Sequence, residues 1–201
     1  MIRVLLADDQ ALIRGALAAM LDLESDITVV AQVGTGEEVL AAARETTPDV
    51  ALLDIQMPGK DGFAAAEELR RNVPGCRVLI CTTFSRPGYL VRAMSAGATG
   101  FMVKDAPPEE LAKAVRKVSK GVRVVDPTLA AESLTHGINP LTSREKQVLL
   151  GVLEGDTITE TAKRLFLKEG TVRNHLSSAI GKTDTRTRSE AALVAQGRGW
   201  L

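Results

Sequence analysis

Along the first 120 residues, short apolar runs alternate with segments whose apolar positions repeat at helical spacing. The runs fall near residues 2–7, 27–33, 49–53, 77–82 and 99–103, and runs of this length between helical patterns predict buried parallel strands. Between them, Leu12, Ile13, Ala16, Leu17, Met20 and Leu21 make a helical stripe, and Thr35-Gly36-Glu37-Glu38 spells a capping box for the next helix. Leu111, Val115 and Val118 stripe a fifth helix opened by Pro107 and Pro108. Alternation at this spacing predicts an α/β unit, a doubly wound five-stranded parallel sheet with helices on both faces.

From Gly121 the pattern degrades. Pro127, Gly137 and Asn139-Pro140 punctuate it, leaving room only for a short helix around Thr128–Leu134. Four helical signals follow in about 60 residues, with no strand among them. Thr142-Ser143-Arg144-Glu145 is a capping box, with Leu141 placed to staple onto a helix whose apolar face is Val148, Leu149 and Val152. Thr157-Ile158-Thr159-Glu160 opens a short helix through Leu165. Val172, Leu176 and Ile180 form the buried stripe of a third helix over 170–180. A last helix near 189–196 carries Ala191, Ala192 and Ala195. Two helices joined tightly inside a small all-α four-helix unit match a helix-turn-helix. The predicted organisation is therefore an α/β domain over 1–120, a linker over 121–139 and a helical domain over 140–201.

Composition sharpens this picture in three respects. Hydrophobic residues make up 45% of the 201 but aromatics only 3%, so both cores must be built from Ala, Leu and Val. The formal net charge is zero but unevenly spread: residues 1–120 hold 14 Lys and Arg against 16 Asp and Glu, residues 140–201 hold 10 against 7. That is a weak hint of an anionic partner for the C-terminal part. Cys76 and Cys81 lack metal-ligand spacing and are expected to be reduced core thiols. The chain shows no signal-peptide layout and no apolar stretch near the ~18–20 residues of a membrane span, so a soluble, cytoplasmic protein is expected.

The chemistry lies where the strands end. Asp8-Asp9, Asp54, Thr82 and Lys104 each close an apolar run, and in an open α/β sheet the ligand site lies at the carboxyl ends of the strands. Three carboxylates sharing one pocket call for a divalent cation, and Mg²⁺ suits oxygen ligands of this kind. Asp54, after the central strand, is best placed to receive a phosphoryl group by in-line attack. Lys104 offers one phosphoryl oxygen a charge and Thr82 offers another a hydroxyl.

Asp8-Asp9, Asp54 with Met57-Pro58-Gly59 behind it, Thr82 and Lys104 together resemble the receiver domain of two-component response regulators, over residues 1 to about 120. The resemblance implies a flavodoxin-like fold and phosphorylation of Asp54 by a partner histidine kinase. Asp9, Asp54 and the backbone carbonyl of Gln56 would bind Mg²⁺, with Asp8 assisting. Phe101, three residues before Lys104, falls at the family's switch-aromatic position. It would fill the space Thr82 vacates on phosphorylation, although an ordinary core role is open to it. The stretch from Thr82 to Tyr89 resembles a subgroup that includes membrane-fluidity regulators acting on lipid desaturase genes.

Residues 140–201, and Gly170-Thr171-Val172-Arg173-Asn174-His175 above all, resemble the four-helix output domain of NarL/FixJ-type (LuxR-like) regulators. Burying Val172, Leu176 and Ile180 turns Arg173, Asn174 and Ser177 outward, where Arg can pair with guanine and Asn with adenine in the major groove. Thr171 and His175 flank them, His175 suited to packing or a backbone phosphate. Lys163, Arg164, Lys168, Lys182, Arg186 and Arg188 are candidates for phosphate contacts. The rival reading is a solvated helix face within a protein-interaction bundle. The run Gly181-Lys182-Thr183-Asp184-Thr185 is polar where relatives are not, and predicts loose packing around the last helix. By likeness to the class, the active receiver dimerises through its first and fifth helices, with Leu12, Ile13, Ala16, Leu111 and Val115 as candidates, a place facing the sheet being open to most of them. Promoter DNA, and RNA polymerase if the outcome is activation, complete the expected partners, with no membrane among them. Two alternatives stay open. A Mg²⁺-dependent aspartyl-phosphate hydrolase would need a second acid two residues after its nucleophile, and Gln56 stands there. A DNA-binding protein with a vestigial receiver would not need the pocket complete.

Overall fold

The computed structural model describes residues 1–83, 87–125, 130 and 139–201, which divide into an N-terminal and a C-terminal compact unit. The N-terminal unit runs β1 (Ile2–Ala7), α1 (Ala11–Asp22), β2 (Ile27–Val33), α2 (Val39–Thr46), β3 (Val50–Leu53), α3 (Gly62–Asn72), β4 (Arg77–Thr82), α4 (Pro87–Ala96), β5 (Gly100–Val103), α5 (Pro108–Ser119) and β6 (Val124–Val125). All strand pairs are parallel, in the order β2-β1-β3-β4-β5-β6. The chain reverses direction across the sheet between β1 and β3, which makes the crevice there the natural ligand site.

Pleating divides the strand residues between two buried faces. Val4, Leu6, Leu52, Leu79, Cys81 and Met102 pack with Ala18, Leu21, Leu111, Val115 and Val118 from α1 and α5. Leu5, Ala51, Leu53, Ile80 and Phe101 alternate with them and are equally buried. The thiols of Cys76 and Cys81 are free and buried, and burial pushes both up to about 12, so they are inert packing groups.

Four expectations change here. The sheet has six strands, because Val124 and Val125 pair with Gly100 and Phe101 inside the segment assigned to a linker. A two-residue strand is too short to show any period. Leu111 and Val115 face the sheet with 4% and 0% exposure, so they cannot form a dimer surface. On α1 the stripe is rotated: Ala18 and Leu21 are buried and Leu17 packs beside them, while Leu12 is 87% exposed and Ala16 is exposed. Thr35 and Glu38 do bond through the Glu38 carboxylate, but α2 starts only at Val39. A Cβ on Gly36 would lie 2.0 Å from the Lys60 carbonyl oxygen, and that close approach belongs to a loop. The helix expected around Thr128–Leu134 lies, apart from Ala130, outside the described residues.

The C-terminal unit contains α6 (Ser143–Glu154), α7 (Ile158–Leu165), α8 (Glu169–Thr183) and α9 (Arg188–Gly197). Complete capping boxes start α6 at Thr142, α7 at Thr157 and, unforeseen, α9 at Thr187. Leu141, Val148, Leu149, Ala162, Val172, Leu176, Ala179, Ala191, Ala192, Ala195 and Trp200 form its core. Ala179, rather than the half-buried Ile180, is the innermost residue of the last turns of α8. The polar run 181–185 does not loosen the unit. Thr183 is 2% exposed, and its hydroxyl is satisfied by the carbonyls of Ala179 and Ile180 and by Thr185 Oγ1. Asp184 closes the helix in the left-handed conformation.

Glu145 ties the first helix of this unit to α8. Its buried carboxylate takes hydrogen bonds from the Ser178 hydroxyl at 2.6 Å, from Lys182 Nζ at 2.7 and 2.9 Å, and from the Thr142 amide at 2.6 Å. Burial pushes the carboxyl up, but Lys182, Ser178 and Thr142 outweigh it and bring it to about 2. A carboxyl lowered on folding stabilises above its unfolded value, near 4.5, and that contribution disappears as pH falls toward 2. The expected size is on the order of 3 kcal/mol. Urea unfolding followed by Trp200, the single tryptophan, should lose that stability between pH 4.5 and 2 in the wild type. Glu145→Gln should be less stable at neutral pH and lack that part of the acid dependence.

Candidate functional site

Strand register sets the level of each group. Ala7 pairs with Leu53, so Asp8 and Asp54 leave the sheet side by side; Thr82 pairs with Val103, so Lys104 emerges just beyond Thr82. The carboxylates of Asp8, Asp9 and Asp54 present oxygens all within 4.8 Å of one another. Asp8 and Asp54 are buried and Asp9 is exposed. Lys104 Nζ, on a side chain only 6% exposed, stands 2.7 Å from Asp8 Oδ2 and 3.0 Å from Asp54 Oδ2.

The other oxygens are anchored locally: Asp8 Oδ1 accepts from the Gln10 amide at 2.9 Å and Asp54 Oδ1 from the Ile55 amide at 2.7 Å. Asp8 Oδ2 and Lys104 Nζ, though at ion-pair distance, share no well-aligned hydrogen bond. The opposite charges of Asp8 and Asp54 hold the ammonium there. Burial pulls the Lys104 pKa down, and the contacts with Asp8 and Asp54 more than offset it, so the ammonium persists at neutral pH.

Thr82, fully buried at the end of β4, accepts the Lys104 amide on its carbonyl at 2.9 Å. Gln56 lies three residues beyond the end of β3 and is exposed. Phe101 is fully buried in β5, paired with Ile80 on one side and Val125 on the other. Sequence reasoning missed Gly62, where a Cβ would sit 2.0 Å from the Asp54 carbonyl oxygen. Only glycine lets α3 start against the end of β3, and the Asp61-Gly62 pair just before an apolar helix was the available signal.

On α8, Arg173, Asn174 and Ser177 are exposed together and Thr171 and His175 are half-buried, opposite the buried Val172, Leu176 and Ala179. Lys163, Lys168, Arg186 and Arg188 are exposed around them. Two of the predicted phosphate ligands are engaged inside the unit: Lys182 with Glu145, and Arg164 with Glu154 and with Asp156 at 2.9 Å.

Comparison with known proteins bears on both units. Residues 4–116 match the response regulator receiver domain, and residues 139–195 match the luxR family of bacterial regulatory proteins. The transcriptional regulatory protein DesR of Bacillus subtilis (strain 168) is 44% identical over 201 residues, covering both chains in full; YvfU of the same organism, an uncharacterised transcriptional regulatory protein, matches equally. The chain belongs to the luxR-family response regulators.

Solved response regulators share the architecture. ChrA, from a heme-sensing two-component system, is 33% identical with a TM-score of 0.59, over 100% of this chain and 98% of its own. RcsB in a DNA complex reaches 0.68 at 23% identity over 98% of each chain, a likeness of fold. Within this response regulator the cluster sets three carboxylates, two of them buried, against one ammonium, so removing the ammonium leaves the buried Asp8 and Asp54 uncompensated. Lys104→Met should destabilise the N-terminal unit at neutral pH by about 3–5 kcal/mol, measured by urea unfolding without added metal.

Proposed function

We propose that this response regulator is switched by phosphorylation of Asp54 and delivers that signal to promoter DNA through α8. The observation that carries the reading is the Asp8–Asp9–Asp54–Lys104 cluster at the β1/β3 crevice, in a chain that also presents an outward Arg173-Asn174-Ser177 face. In the transfer, an Asp54 carboxylate oxygen forms a bond to phosphorus, the bond to the donor histidine nitrogen of a sensor kinase breaks, and that nitrogen keeps the electron pair. Lys104 Nζ, already 3.0 Å from Asp54 Oδ2, is within reach of an oxygen on the incoming group, and the Thr82 hydroxyl serves another.

The donor set fits a hard divalent cation: oxygen ligands only, close together, with the buried Asp8 Oδ2 short of an aligned partner. Asp8, Asp9 and Asp54, with the Gln56 carbonyl, would hold Mg²⁺, which when bound supplies positive charge over the phosphoryl oxygens. A displacement of Thr82 toward the phosphoryl group reaches the buried Phe101 through the β4–β5 pairing. The exposed Leu12 and Ala16 of α1, with Ile13 beside them, are the apolar contacts for dimerisation. On DNA, Arg173 and Asn174 read base edges, while Lys163, Lys168, Arg186 and Arg188 meet phosphates. No described helix is long and apolar enough to cross a membrane, which supports a cytoplasmic site of action. The stretch 82–89 that resembles membrane-fluidity regulators includes residues 84–86, which lie outside the described residues.

Two measurements test the pocket. Incubation with a small phosphodonor and Mg²⁺ should give one stable adduct per chain by intact mass, mapped to Asp54 and absent from Asp54→Ala; steady phosphate release without an adduct would instead support a hydrolase. Mg²⁺ alone should raise the thermal midpoint of the wild type by mass action, and Asp9→Asn should abolish most of that rise.

A further inference from the structure

Three of the four described helices of the C-terminal unit begin with a Thr–Glu capping box, but the residue before α8 is Lys168, whose side chain makes no capping bond. The acid of its first turn, Glu169, points sideways instead. Glu169 Oε1 accepts the hydroxyl of Thr159 on α7 at 2.6 Å, and Oε2 lies 3.2 Å from Arg173 Nη2, one turn along. One carboxylate thus joins the two helices of the helix-turn-helix and holds the foremost candidate base-reading side chain.

We propose that Glu169 is a positioning residue for base readout, directing Arg173 toward a base edge and keeping it from serving as a general phosphate ligand. This rests on the reading of α8 as a DNA-recognition helix. An unrestrained arginine beside a duplex finds phosphates first, and phosphate contacts carry no sequence information. A carboxylate held against the guanidinium changes that competition. It repels a phosphate approaching the same group, whereas the guanine edge is neutral and offers two acceptors to the arginine fork. The bond from Thr159 prevents the carboxylate from swinging away with Arg173. The pair itself is exposed, 62% at Arg173 and 45% at Glu169, so it is weak enough for a matched base to displace.

The test uses the full chain treated with phosphodonor and Mg²⁺, and two duplexes of equal length, one selected from a random pool by the wild type in that state and one of random sequence. Glu169→Gln keeps an acceptor for Thr159 and removes the charge. Binding to the random duplex should tighten and its logarithmic salt dependence should steepen by about one phosphate contact. The ratio of selected to random affinity should fall about tenfold, at the lower end of what one bidentate base contact discriminates. In an Arg173→Ala background the same substitution should leave the ratio unchanged. An unaltered ratio in Glu169→Gln overturns the proposal, including the case where both affinities weaken alike because the residue is merely structural. An equal fall in the Arg173→Ala background overturns it as well. A wild type that enriches no sequence overturns the DNA reading itself, and shows this before any variant is made.

Discussion

One ammonium among three carboxylates is the constraint on which the N-terminal unit depends. Lys104 stands between Asp8 and Asp54 at 2.7 and 3.0 Å, on a side chain almost removed from water. Desolvated charges of this kind persist only when paired, and breaking the pair costs more than forming it gains. The strand register therefore has two tasks: β1 and β3 align the carboxylates, and the β4–β5 pairing delivers the ammonium beside Thr82. The cluster is still short of positive charge, and that deficit is what a cation can fill and a phosphoryl group can rearrange.

The C-terminal unit solves a similar problem with the signs reversed. A single buried carboxylate, Glu145, is satisfied by Lys182, Ser178 and the Thr142 amide, and so pins α8 against the first helix of its unit. Both units thus set a buried carboxylate against an ammonium far away in sequence, on a side chain 6% exposed at Lys104 and 32% exposed at Lys182. In one the pair is incompletely bonded and open to exchange. In the other it is fully bonded and fixes the helix that presents Arg173 and Asn174. That difference separates a switch from a scaffold.

Much of this was legible from local signals. Four of the five longer strands were marked by apolar runs ending at charged or hydroxylic residues, and all three capping boxes share the Thr-x-x-Glu spelling, Thr187-Arg188-Ser189-Glu190 included. The rest depended on distant partners or on patterns without direction. The apolar residues of α1 surround so much of the helix that no stripe chooses a face, and only the sheet decides that Leu12 points to water and Leu21 inward. Leu111 and Val115 are read equally well as core or as interface until the sheet is present. Lys182 looked like a free cation because its partner, Glu145, is 37 residues away. The role of Gly62 exists only when α3 meets the end of β3. The strand-end residues and the family likeness supplied the chemistry of the pocket; the fold adds which groups meet and which are already engaged.

The central claim is that a change of charge at Asp54 governs what the C-terminal unit does on DNA. The most direct measurement is the affinity and stoichiometry of the full chain on its selected duplex, with and without phosphodonor and Mg²⁺, for wild type and Asp54→Ala. The account predicts that the wild type binds at least about tenfold more tightly and as a dimer once phosphorylated, a coupling of at least 1.4 kcal/mol, while Asp54→Ala does not respond. Equal binding by all four samples would contradict it.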